Sequence, residues 1–216
     1  MTLNTISINT ISINTISREI FKIGFHGPYI LMIMSILMII YEARLYFPVL
    51  GTALIPHLHF VSIVGNKILL VVAWNIMNIW INGLLKKLIK QPRPKKSIKI
   101  NKQDEKYSRS YGMPSGHAQS AAANFVFIAL LFRNEFLTTV AALQTLLTLY
   151  QRYSFRMHSA PQLLVGSILG SASGYALYQC YRLLFLTSPK SASAATAMAT
   201  GEKTAPPPRP VATTAR

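Results

Sequence analysis

The chain is nearly without acid. Its 216 residues hold one Asp, Asp104, and five Glu, at Glu19, Glu42, Glu105, Glu135 and Glu202, against 22 Lys and Arg, for a net charge of +16. Oxygen-ligated Mg2+ or Ca2+ centres and two-metal phosphatases need clustered carboxylates, and paired-carboxylate hydrolysis needs two in one site. So few acids, so widely spread, argue against all three. Cysteine is equally scarce: Cys180 stands alone, which excludes an intramolecular disulfide and a thiolate metal cluster and leaves a packing role. The N-terminus lacks the basic start and small-residue cleavage site of a secretory signal. Proton-transfer or nucleophilic chemistry therefore falls to the five histidines, His26, His57, His59, His117 and His158.

What is present is apolar. Hydrophobic residues make up 51% of the chain and the mean hydropathy is +0.33, too greasy for an ordinary soluble domain of this length. The composition is that of a small integral membrane protein. The excess of positive charge suits nucleic acid, anionic lipid or a phosphorylated substrate, and the apolar segments argue against nucleic acid. Both ends differ from the middle. Residues 1–19 carry a low-complexity tract in which Asn-Thr-Ile-Ser-Ile recurs with a period of five, matching neither helix nor strand. Residues 188–216 are rich in Ala, Pro, Ser and Thr and read as a disordered tail. Residues 20–187 are the expected transmembrane domain.

Within that domain apolar segments lie at about 28–48, 50–65, 67–88, 116–133, 136–153 and 160–186. A span takes roughly 20 mostly apolar residues, and the first, third and last meet that length comfortably. The second contains Pro56, His57 and His59 and reads as a short or broken helix. Unpaired backbone is not tolerated in lipid, so the expected fold is all-α, a six-helix transmembrane bundle. "GSILGSASG", from Gly166 to Gly174, places small residues at near-helical spacing, suited to close packing of two helices. His26, His57 and His59 fit interfacial or packing roles, and Glu42 is expected to pair with Arg44 or Lys86.

The 86–113 connection carries ten basic residues and two acids, and by itself it favours the cytoplasmic side. It also holds the first of three polar clusters found at segment ends, and the second follows directly after it. The first is "KKLIKQPRP", with Lys86, Arg93 and Pro94; the second is "PSGH", Pro114 to His117; the third is "QRYSFRMHSAPQ", with Arg152, His158 and Gln162. If the helices alternate in direction, all three fall on one face. Arg93 and Arg152 offer guanidinium forks for phosphate oxygens, and Lys86 adds a point charge. Ser115 and the first free amides of the fourth helix add donors at a positive helix end, and Gly116 admits a ligand close to the backbone. That set binds a dianion. Of two histidines beside it, one can attack phosphorus and the other can protonate the leaving oxygen. Gln162 lies one helical turn beyond His158, where it can orient the imidazole, and Pro161 is acceptable in a first helical turn.

The clusters resemble the signature of the type 2 phosphatidic acid phosphatase (PAP2) superfamily: Lys, six residues, Arg-Pro; Pro-Ser-Gly-His; Ser-Arg, five residues, His, three residues, Asp. The resemblance spans about Ile30 to Leu186. It implies a phosphatase without a metal or other cofactor, in which His158 is transiently phosphorylated and His117 is the general acid. Lys86, Arg93, Ser115, Gly116 and Arg152 would then hold the phosphoryl oxygens. Gln151 stands where the pattern has Ser, and Gln162 where it has Asp. "YGMPSGHAQ" and "HSAPQ" resemble the dolichyl diphosphate phosphatase branch. The expected function is hydrolysis of an isoprenoid diphosphate such as dolichyl diphosphate. The alternatives are a phosphatidic acid or other phospholipid phosphatase, or a catalytically silent lipid-phosphate-binding protein. The resemblance places the active face on the lumenal or exoplasmic side of the endoplasmic reticulum or another internal membrane.

Overall fold

The computed structural model describes residues 23–44, 54–95 and 111–187, with backbone only for 54–60. Both tails, and most of the basic connection, lie outside these residues. By contact the chain divides into two units, one reaching Tyr181 and one beginning at Arg182.

In the first unit the described residues form five helices and no strand: α1 Ile23–Arg44, α2 Leu54–Ile89, α3 Gly116–Phe132, α4 Glu135–Ser154 and α5 Ala160–Tyr181. The six-helix expectation is not met among them, because the second and third apolar segments join in the 36-residue α2. Pro56 falls in the first turn of α2, where a missing N–H is no loss. Gly65 sits inside the helix with nothing within 4 Å of where a side chain would start, so it marks no break. In the second unit, residues Arg182–Leu186 form a π-helical segment, closed by the Thr187 N–H donating to the Arg182 carbonyl at 3.0 Å.

The distribution of side chains is the reverse of a water-soluble fold. Ile33, Leu37, Leu69, Ile76, Trp80, Leu88, Phe136, Leu143, Leu164 and Ile168 face outward, whereas Ser35, Asn78, Asn82, Gln119, Asn124, Thr148 and Gln151 are buried. Exposed apolar surface on every helix but α3 is costly in water and natural in hydrocarbon. α1 and the Val61–Ile89 part of α2 are long and apolar enough to cross a membrane, and most of each is unburied, unlike the core helix of a soluble domain. α5 falls short of that apolarity, contrary to its sequence reading. Its glycines and serines lower the hydropathy because they serve packing instead.

That packing is specific. Gly166, Gly170 and Gly174 on α5 lie against the backbone of Ser115, Gln119 and Ala123 on α3. The two rows advance together in steps of four, so the helices run side by side in the same direction with backbones in contact. α1 crosses α4 in the opposite sense: Gly24 meets Gln151 and Leu147, and Gly27 meets Thr148. Leu31, Ala121, Ile128 and Ala141 form an apolar core between α1, α3 and α4.

α2 is joined to α3 by amides. Asn82 Nδ2 donates to Gln119 Oε1 at 2.7 Å, Gln119 Nε2 donates to Asn78 Oδ1 at 2.7 Å, and Asn124 Nδ2 donates to Asn75 Oδ1 at 2.9 Å. Each such bond within a membrane contributes on the order of 0.6 kcal/mol. The ladder also fixes the rotation of α2, which turns Lys86 toward α3. Glu42 is under the electrostatic influence of Lys67, which itself lies over the Tyr181 ring at 5.7 Å. This replaces the expected pairing with Arg44 or Lys86.

Candidate active site

The ends of α2, α3 and α4, the turn ahead of α5 and the start of α1 meet around one cavity of about 200 Å³. Lys86, Arg93, Gly116, His117, Arg152 and His158 all line it, together with Phe25, Pro28, Tyr29, Met32, Asn75, Ile79, Asn82 and Ser120. The three sequence clusters are thus brought to a single site. Two of the expected residues stand behind its wall. The Ser115 hydroxyl accepts from the Ala118 N–H at 3.4 Å and so caps α3, while Gln162 packs behind His158.

Each side chain is placed by local structure. α2 ends with Lys90 in the left-handed region, φ 52°, its N–H donating to the Lys86 carbonyl at 3.0 Å. The chain then turns so that Arg93 faces the cavity, with Nη1 donating to the Met157 carbonyl at 3.3 Å. α3 starts directly at Gly116; its capping leaves the first-turn N–H groups of Gly116 and His117 without an intrahelical acceptor. After α4, Arg156 takes a positive φ of 54° and the N–H groups of Met157 and His158 return to the Arg152 carbonyl at 3.0 and 3.3 Å. The turn folds His158 back over Arg152. α5 begins at Ala160 with Pro161 in its first turn, as its fixed φ favours.

Among the described residues the electrostatics are one-signed: three cations and no carboxylate line the cavity. Burial, then Arg93, Lys86 and Arg152, push the His158 imidazole down to about 3, only partly opposed by its hydrogen bond to Gln162. The ring is therefore neutral throughout the physiological range, and a bound dianion would offset the surrounding charge. His158 Nδ1 lies 3.3 Å from Gln162 Oε1, which also accepts from the Ser159 N–H at 3.2 Å. His117 Nε2 is buried with no hydrogen-bond partner among the described residues, which is the condition of a group awaiting a ligand. Phe25 closes the site from α1, its ring 4.7 Å from the Arg152 guanidinium and 5.3 Å from the His117 ring.

Several of these residues were not singled out in the sequence. Asn75, Asn78 and Asn82 recur at helical spacing inside an apolar span, and intramembrane polar residues turn toward the bundle interior; that signal was readable. Nothing in the sequence marks Phe25, which reaches the site only through the packing of α1. His26 is exposed and edge-on to Phe25, and the side chains of His57 and His59 lie outside the described residues.

A sequence profile described as the PAP2 superfamily matches residues 67–185. A search of curated protein sequences finds no match. Among solved structures, the chain is similar to that of the first transmembrane PAP2-type phosphatidylglycerolphosphate phosphatase from Bacillus subtilis, with a TM-score of 0.53, 17% identity and 80% of each chain covered.

Proposed function

Taking as premise that the chain belongs to the PAP2 superfamily, we propose that it is an integral membrane lipid phosphatase working through a phosphohistidine, without a metal. The observation that carries this is the convergence of His117, His158, Lys86, Arg93 and Arg152 on one cavity. In the proposed reaction His158 Nε2 attacks phosphorus as the bond to the leaving oxygen breaks, and His117 gives that oxygen its proton. Water then attacks the phosphohistidine, His117 takes the proton back, and phosphate leaves with His158 neutral again. Lys86, Arg93, Arg152 and the Gly116 amide balance the charge on the equatorial oxygens, the term that dominates phosphoryl transfer. Ser115 acts by holding the start of α3. Gln162 orients His158.

The substrate we assign is an isoprenoid diphosphate of the dolichyl type. The resemblance of "YGMPSGHAQ" and "HSAPQ" to that branch supports it, as does the apolar wall of Phe25, Pro28, Tyr29, Met32 and Ile79 beside the cations. A phosphatidic acid or related phospholipid phosphatase is the second reading, favoured by the polar residues Asn75, Asn82 and Ser120 that line the same cavity. The active face is placed on the lumenal or exoplasmic side of an internal membrane such as the endoplasmic reticulum.

The test is phosphate release by purified protein in detergent from dolichyl diphosphate, phosphatidic acid and phosphatidylglycerol phosphate, with and without EDTA. Release from dolichyl diphosphate in preference to the others, unchanged by EDTA, is expected. Preference for a glycerophospholipid overturns the substrate assignment, loss with EDTA overturns the metal-free mechanism, and no release from any lipid leaves a silent phosphate binder.

A further inference from the structure

Behind His158 lies a set of contacts that the reaction as written does not use. Gln162 Nε2 donates to the Pro92 carbonyl at 2.9 Å and to Gln91 Oε1 at 3.0 Å, while its Oε1 receives the Ser159 N–H at 3.2 Å. An amide can ordinarily be turned over without changing its shape. Here two backbone groups of opposite kind oppose it, since a peptide N–H only donates and a proline carbonyl only accepts, and Gln91 Oε1 adds a second contact to the same NH2. Turning the amide would set its NH2 against the Ser159 N–H and its oxygen against the Pro92 carbonyl, leaving buried groups unpaired. The atom 3.3 Å from His158 Nδ1 is therefore the oxygen. An oxygen that can only accept requires Nδ1 to carry the proton, which leaves the lone pair on Nε2, the ring nitrogen turned from Gln162.

The same contacts decide between amide and carboxylate. A carboxylate at position 162 would serve Ser159 and His158 but present its second oxygen to the Pro92 carbonyl, which can only accept, and would require Gln91 to turn its amide. The site is built around an amide, and the Gln in place of the family's Asp is matched by its surroundings. Backbone bonds extend the match. The Gly112 N–H donates to the Gln91 carbonyl at 2.7 Å, and the Ser115 N–H donates to the Gln162 carbonyl at 3.1 Å. A Cβ at Gly112 would stand 2.6 Å from Gln162 Nε2. All three polar clusters are tied to this one residue, two through its side chain and the second through its backbone carbonyl.

We propose that Gln91 is a further positioning residue: with the Pro92 carbonyl it locks the Gln162 amide in the single orientation that selects the Nδ1–H tautomer of His158. The proposal rests on the reading of His158 as the nucleophile. It is tested on the full-length protein in detergent with two readouts. The first is the 15N NMR of histidine-labelled protein, with the His158 signals identified by their loss in His158→Ala. The wild type shows the Nδ1–H tautomer, and Gln91→Leu shows a population of Nε2–H. The second readout is turnover of dolichyl diphosphate. Gln91→Leu lowers kcat by at least about tenfold, the scale on which outer hydrogen-bond partners of an imidazole act, with KM unchanged because the tautomer affects attack and not binding. Gln91→Glu keeps an acceptor oxygen in place and stays close to wild type in both readouts. Gln162→Glu loses kcat and moves the acid limb of the pH profile upward, since a carboxylate on Nδ1 makes the ring more basic.

The Nε2–H form in the wild type overturns the proposal, as does Gln91→Leu with wild-type kcat and tautomer, or Gln91→Glu as damaged as Gln91→Leu. A wild-type protein that holds the Nδ1–H tautomer, loses it in Gln91→Leu, and releases no phosphate from any lipid upholds the lock. That outcome overturns only the enzymatic reading.

Discussion

Replacing Gly170 by Ala probes how the two histidines are held in register. A methyl on Gly170 would lie 2.8 Å from the Gln119 carbonyl carbon and 2.9 Å from its Cα, with the Gln119 carbonyl oxygen nearer still. Carbon atoms settle at about 3.5–4.0 Å, and the atoms struck are backbone, so α3 and α5 must part by roughly 1 Å. Overpacking of this kind costs about 1–3 kcal/mol, of which the better helix propensity of Ala returns about 1 kcal/mol. For a chain of this size each kcal/mol moves the melting temperature by about 2–4 °C, so a fall of up to roughly 8 °C follows. Activity should drop further than stability, because Gln119 is two residues from His117 and α5 carries His158 just ahead of its start. A displacement of 1 Å between reacting groups can cost about 100-fold. The control is Gly65→Ala, where nothing lies within 4 Å and the melting temperature should hold or rise. Both variants are measured by thermal unfolding and phosphate release in the same detergent. If Gly170→Ala matches Gly65→Ala in both, the seam between α3 and α5 does not set the site.

Two further outcomes follow from the histidines. His158→Ala should abolish the acid-labile phosphoenzyme, whereas His117→Ala should still form it, at a rate that falls as the leaving group becomes a poorer one. Equal small losses in both variants contradict the assigned roles, and rapid-quench trapping of labelled protein reads them. The pH dependence has a definite sign: the folded His158 is pushed down from 6.5 to about 3 by burial, Arg93, Lys86 and Arg152. The unfolded chain therefore takes up a proton that the folded one refuses. Stability from the neutral ring is present above pH 6.5 and drains as pH falls toward 3, and His158→Ala should flatten that part of the stability curve. An unchanged slope between pH 6.5 and 4 in denaturation of that variant refutes the assignment.

The all-α class of the chain and the grouping of its candidate-site residues on one face were legible in its sequence, since both depend on local pattern. Runs of apolar residues announce helices for lipid, and residues at fixed spacing at the ends of those runs must share a face if the helices alternate. Lys86, Arg93, His117, Arg152 and His158 were found this way, and the cavity holds them all. Among the described residues the second and third expected segments form one helix, because Pro56 breaks a helix only in its middle and here falls in the first turn of α2. Ser115 was expected among the phosphate ligands from its residue type; the fold sets its hydroxyl oxygen at the cap of α3, where it accepts the Ala118 N–H. Phe25 joined the site from a helix whose sequence has no tie to the motifs. The meaning of Gln162 was also beyond the sequence. An amide in place of a carboxylate reads as a loss until the acceptors facing it are known, and those acceptors, Gln91 and Pro92, lie 71 and 70 residues away. Sequence specifies which groups are available and how they repeat along a helix. Which donor meets which acceptor is a property of three-dimensional separation, and only the folded bundle decides it.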